Sequence, residues 1–96
     1  MVPRLSKNQA RKWVSSIRVK GQVALWPHCI AELTNDGLEA TDVDNVLRCG
    51  KIHEEPEPEG KHGEWRYRVH TQRMCVVVQF ETETELSVAT AWRKKE

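Results

Sequence analysis

Residues 64–74 read EWRYRVHTQRM. At the two-residue period of a strand, Trp65, Tyr67 and Val69 point one way and Arg66, Arg68 and His70 the other. Two guanidiniums and an imidazole in line are the types that hold a phosphodiester and move a proton beside it. Metal-free RNA cleavage turns the 2′-OH on the adjacent phosphate. A base takes the 2′ proton and an acid protonates the departing 5′ oxygen. Fixed cations meet the charge that gathers on the phosphate, each contributing roughly 3 kcal/mol. The same three residues also suit the solvated face of an antiparallel strand, and their types alone leave both readings open.

Other chemistry-bearing residues give weaker signals. WRKKE sets Trp92 beside Arg93, Lys94 and Lys95, an aromatic-and-basic combination that suits single-stranded RNA and equally a charged tail. His53, His62 and the cysteines Cys29, Cys49 and Cys75 lack zinc-site spacing. Cys29 adjoins His28, but neighbours on a helix point about 100° apart, which argues against a Cys–His nucleophile. Trp13 belongs to a helical apolar stripe and is expected in the core. No metal or other cofactor is implied.

Composition narrows the classes. Ninety-six residues with 39% hydrophobic content make one domain, residues 1–96. No apolar run approaches the roughly 18 residues of a membrane span, and the N-terminus lacks the apolar region of a secretory signal. Three scattered cysteines fit reduced thiols in a cytoplasm. The net charge of +1 hides a segregation. Residues 1–20 carry Arg4, Lys7, Arg11, Lys12, Arg18 and Lys20 without an acid, whereas residues 21–60 carry nine acids against two bases. Such patches allow a local anionic partner, and they also simply solvate a surface.

The elements that must position these residues are well marked. In LSKNQARKWVSSIRV, Ser6 and Gln9 form a capping-box pattern and Leu5 is placed to staple Ala10. Ala10, Trp13, Val14 and Ile17 then form one apolar stripe, with Arg11, Lys12 and Arg18 expected to face water or a partner. WPHCIAELTNDG predicts a helix opening at Pro27 and stopping at Gly37, after a short extended entry at QVALW. LEATDVDNVLRCG predicts a third helix, acidic at its start, basic at its end and closed by Gly50. Beyond it KIHEE is extended and PEPEGKHG is a loop. EWRYRVHT, MCVVVQFE and ELSVATAWR are strands joined by short turns. The expectation is an α+β domain: a basic N-terminal helix over 1–20, helical segments over 22–50, and a sheet over 51–93. Its helices pack on one face of three or four antiparallel strands.

HCIAELTNDGLEATDVDNVLRCGKI, followed after a gap by WRYRVHTQRMCVVVQFETETELSVATAW, resembles a bacterial family of small domains. Their pattern is H-A-x-x-R-M-x-x-R-G-I-x-x-x-D-V-x-x-V-L-x-x-G-x-I, then strands ending in V-x-T-x-Y/W. They are similar to the BrnT and MqsR toxins, within the RelE/ParE-like toxins. The resemblance covers roughly residues 22–93, with Gly37-Leu38, Asp42-Val43, Val46-Leu47, Gly50, Ile52, Thr90 and Trp92 in place. It implies a RelE-like fold and a toxin of a toxin–antitoxin pair, an endoribonuclease acting on free or ribosome-bound mRNA and held by a cognate antitoxin. His28 matches the family's leading histidine and becomes an acid/base candidate beside Arg66, Arg68 and His70, because an ordinary imidazole titrates near pH 6.5. Lys51, Trp92 and Arg93 complete the RNA-contact set. Two family arginines are replaced by Glu32 and Asp36. That exchange favours the alternative, a catalytically degenerate domain of the same fold that binds protein or nucleic acid.

Overall fold

The computed structural model describes residues 2–95 as an α+β fold. Its elements are α1 (Lys7–Lys20), β1 (Gln22–Leu25), α2 (Pro27–Asn35), α3 (Ala40–Cys49), β2 (Glu57–Pro58), β3 (Trp65–His70), β4 (Met74–Thr82) and β5 (Glu85–Arg93). The five strands form one sheet in the order β1-β5-β4-β3-β2. Strands β3, β4 and β5 are the expected antiparallel meander. The sheet is nevertheless larger than expected and mixed. Gln22–Leu25 joins it parallel to β5, and Glu57–Pro58, inside the segment expected to be a loop, pairs with β3. A proline is tolerated there because β2 is an edge strand, where a missing N–H costs no ladder bond.

Local signals explain the helices. Ser6 Oγ accepts the Gln9 N–H at 3.2 Å and Gln9 Oε1 accepts the Ser6 N–H at 3.1 Å, the reciprocal cap of α1. Gly37, with φ 70°, ends α2 in the left-handed region. Gly50 ends α3 for a different reason: a Cβ there would lie 2.5 Å from the Val46 carbonyl oxygen and 2.8 Å from Val69. The close approach lets α3 run straight onto β3.

α1 and α3 cover one face of the sheet. Ala10, Val14 and Ile17 from α1 and Val43, Val46 and Leu47 from α3 bury against Tyr67, Val69, Val76, Val78, Phe80, Leu86 and Val88. Trp13 meets Phe80 edge-on at 5.4 Å, a core role. The Leu5 N–H donates to Tyr67 Oη at 2.8 Å and ties the entry of α1 to β3. β1 pairs with β5 only as far as Val88, and α2 packs along the remainder of β5.

The basic α1 is mostly spent inside the molecule. Arg18 grips Asp44 of α3 through two bonds of 2.9 and 3.0 Å, and this pairing holds the Asp44 carboxyl below its usual range. Arg11 donates to the carbonyls of Leu47 and Arg48, which lack partners at the end of α3. Arg4 and Lys7 meet Glu55. Arg11 and Arg18 were expected to face water or a partner. They instead join α1 to α3, because the acid-rich middle of the chain folds against its basic start. Among the described residues no helix is long and apolar enough to cross a membrane.

Candidate nucleic-acid interface

α1 and α3 leave the second sheet face uncovered, and the register places the expected residues on it. Arg66 lies opposite Gln79, which lies opposite Ser87. Arg68, Val77 and Thr90 form the next row, and His70, Cys75 and Trp92 the third. Cross-strand partners point to the same side, so Arg66, Arg68, His70 and Trp92 share one surface. Cys75, Val77, Gln79 and Ser87 are buried beneath it. Burial in this floor pushes the Cys75 thiol up to about 11.

Two arginine–tryptophan pairs roof that floor. The Arg66 guanidinium lies 5.4 Å from the Trp26 ring centre, and Arg68 lies 5.9 Å from that of Trp92. Arg66 Nε also donates to Gln79 Oε1 at 3.3 Å. A guanidinium over an indole is attracted to its negative face, and its long stem covers apolar surface while its head stays wet. Trp26 was not among the expected site residues. Its signal was its place one residue past Leu25, because period two turns it to the side away from the core.

His28 is exposed at 74% and reaches Glu32 Oε1 with Nε2 at 3.2 Å. The Thr90 hydroxyl donates to the same Glu32 carboxylate. Thr90 stands in the Arg68 row, so Glu32 links His28 to the sheet face. Glu32 therefore orients the candidate histidine. The four-residue spacing of His28 and Glu32 on one helix was the sequence signal for this contact. Asp36 is exposed at the end of α2.

His70 differs from the expectation of an exposed acid/base group. Its side chain is 13% exposed, and Nε2 contacts Glu54 Oε1 at 2.7 Å, a contact satisfied when Nε2 bears the proton. Nδ1 is buried without a partner among the described residues. The His53 ring stacks on it at 5.5 Å. Burial raises the Glu54 carboxyl, but the bond to His70, its charge and that of Arg68 outweigh burial and leave it lowered. Arg68 also meets Glu57 Oε1 at 3.4 Å. The acidic segment before β3 thus lies along its edge and supplies one carboxylate to His70 and another to Arg68.

Lys51 exchanges backbone hydrogen bonds with His70 at 2.8 and 2.7 Å, which turns its exposed side chain toward the same face. Arg93 departs from the expected set. It pairs with Met74, whose side chain is in the helix-covered core, so it points to the opposite side of the sheet from Trp92. Adjacent residues on a strand cannot share a face. Among the described residues no group of three or more histidines, cysteines or acids could hold a metal ion.

The chain was compared with family models, curated proteins and solved structures. None matches.

Proposed function

We propose that this domain acts on RNA as a metal-independent endoribonuclease of the toxin–antitoxin type, with a RelE-like arrangement and with RNA laid across the second sheet face. The observation that carries the proposal is the pair of guanidiniums, Arg66 on Trp26 and Arg68 on Trp92, in one layer with the Glu32-backed His28. The tryptophans offer rings for unpaired bases, and the guanidiniums offer planar forks for phosphate oxygens. His28 takes the 2′ proton, the 2′ oxygen attacks the phosphorus, and the bond to the 5′ oxygen breaks. That oxygen takes a proton from solvent, leaving a 2′,3′-cyclic phosphate and a 5′-hydroxyl end. Arg68 and Arg66 meet the charge on the phosphate. His70, half-buried and engaged by Glu54, positions the strand edge and stays out of the proton transfer. A cognate antitoxin would hold the toxin inactive.

A second reading, a binding module that does not cleave, is favoured by one observation. Glu54 and Glu57 already occupy His70 and Arg68. The test is incubation of the purified chain with single-stranded RNA in a metal chelator, with analysis of the ends produced. Cyclic-phosphate ends that fall about 100-fold or more in His28→Ala support the enzyme. RNA binding that needs Arg66 and Arg68, without any cleavage, supports the module. Neither binding nor cleavage removes both. Expression in a bacterial host adds a cellular readout: growth arrest relieved by Arg66→Ala/Arg68→Ala supports the toxin.

A further inference from the structure

A second surface lies on the helix-covered side of the sheet, away from Arg66 and Arg68. A groove of about 1030 Å³ runs between α3, the β3–β4 turn and the residues that end β5. Its walls bring together Arg73, Arg93, Lys94 and Lys95 against one carboxylate, Asp42. Asp42 already accepts the Glu39 N–H at 2.7 Å. Among the described residues, no carboxylate lies within ion-pair distance of any of the four cations.

The cationic wall is braced. The Lys94 N–H donates to the Arg73 carbonyl at 2.7 Å and Lys94 Nζ to the Thr71 carbonyl at 2.8 Å. Thr71 Oγ1 accepts the N–H groups of Arg73 and Met74 and closes the turn. Four like charges held together in this way repel one another, and an anionic ligand relieves that repulsion. The floor is aliphatic, formed by Leu38, Val46 and Met74. Among the described residues no aromatic side chain lines the groove, so an unpaired base would find no ring to stack on.

We propose that this groove docks an acidic peptide segment of a partner protein. Its carboxylates would meet Arg73, Arg93 and Lys95, and an aliphatic side chain would rest on the Leu38–Met74 floor. The opposite wall distinguishes peptide from nucleic acid. The carboxylate of Asp42 stands in that wall; a phosphodiester offers it no donor, whereas a peptide backbone presents N–H groups to it. The site is independent of the RNA reading, because it uses none of the residues of the other face.

Cys49 is a built-in reporter. It lines the groove and is exposed, whereas Cys29 and Cys75 are buried. The experiment measures the rate of maleimide modification of Cys49 against increasing concentrations of a short synthetic peptide of glutamates with interspersed leucines. Parallel titrations use oligouridylate and inorganic polyphosphate. The expected result is a saturable, several-fold slowing by the peptide alone, lost in Arg73→Glu/Lys95→Glu at unchanged melting temperature. These two side chains are exposed and make no ion pair among the described residues, so the variant keeps the fold. Equal protection by oligouridylate or polyphosphate would overturn the peptide assignment, and absence of protection by the peptide would overturn the site.

Discussion

If RNA lies across the second face, Glu57 competes with it for Arg68, and neutralising that carboxylate should tighten binding. Glu57 Oε1 stands 3.4 Å from Arg68 Nη2, with the two side chains 64% and 41% exposed. At that distance a full charge pair in a water-like dielectric is worth about 1.2 kcal/mol, and exposed pairs measure roughly 0.2–1 kcal/mol after ordering and screening. Because about 1.4 kcal/mol is tenfold in affinity, Glu57→Gln should lower the dissociation constant by roughly 1.4- to 5-fold. The side chain is isosteric and the backbone pairing of Glu57 with Arg66 is untouched. Glu55→Gln supplies the control. It removes the same charge two residues away, but its carboxylate faces Arg4 at 2.7 Å and Lys7 at 3.9 Å on the helix side. The assay is fluorescence anisotropy of labelled oligouridylate at low ionic strength, repeated at high salt, where the gain should shrink. Equal effects of the two substitutions would mean that only overall charge matters. Weaker binding by Glu57→Gln would refute the competition outright.

Four further outcomes follow from the same contacts. Tyr67→Phe strands the Leu5 N–H in a buried site, which should cost about 1–3 kcal/mol and lower the melting temperature by roughly 4–8 °C per kcal/mol; an unchanged melting curve would discard this anchor. Asp44 and Glu54 are held below their usual values in the fold, so their stabilisation is complete above their unfolded values, near pH 4, and is lost as pH falls through the lower folded ones. Asp44→Asn should therefore flatten the acid limb of melting temperature against pH, and a limb identical to wild type would contradict the Arg18 pairing. Of the three thiols, Cys49 alone should react quickly with a maleimide in the native chain at pH 8, since burial holds Cys75 near 11; quick labelling at two positions, read by peptide mass, would count against the buried floor. The logarithm of RNA affinity should fall with the logarithm of salt with a slope of about 1.4 in magnitude, two guanidiniums at ~0.7 each for a single strand, and a slope near 4 would place the binding on other cations.

What was legible in the sequence was what neighbours in the chain decide. Ser6 with Gln9, Pro27, Gly37 and the short β3–β4 and β4–β5 turns each act within a few residues, and the three helices start and stop close to where those signals placed them. Period two placed Arg66, Arg68 and His70 on one face for the same reason. Partners distant in the chain were not legible. QVAL joins β5 from more than sixty positions away, and nothing in four residues distinguishes a parallel edge strand from an extended linker. Pro58 sat in a segment rich in turn residues, yet pairing with Trp65 across a hairpin-like excursion made it an edge strand. Trp92 and Arg93 were grouped by adjacency, although the strand period itself separates them. Glu32 was visible beside His28 at helical spacing, but its second contact depended on Thr90 arriving from β5.

Charge was legible as composition and illegible as surface. The basic first twenty residues suggested an anionic partner, and the fold supplies one internally: Asp44 for Arg18, carbonyls of α3 for Arg11, and Glu55 for Arg4 and Lys7. The acidic segment before β3 does the same for His70 and Arg68. A polyanion on the second face therefore meets guanidiniums already partly satisfied, and each phosphate contact there replaces an existing carboxylate or indole contact instead of filling an empty site. Binding on such a face has to draw on stacking against Trp26 and Trp92, which favours unpaired bases over a duplex whose bases are already stacked. The opposite groove has the reverse character, with convergent cations and no ring. If RNA lies on the arginine–tryptophan face and an acidic peptide in the groove, neither takes residues from the other, and the two would bind at once.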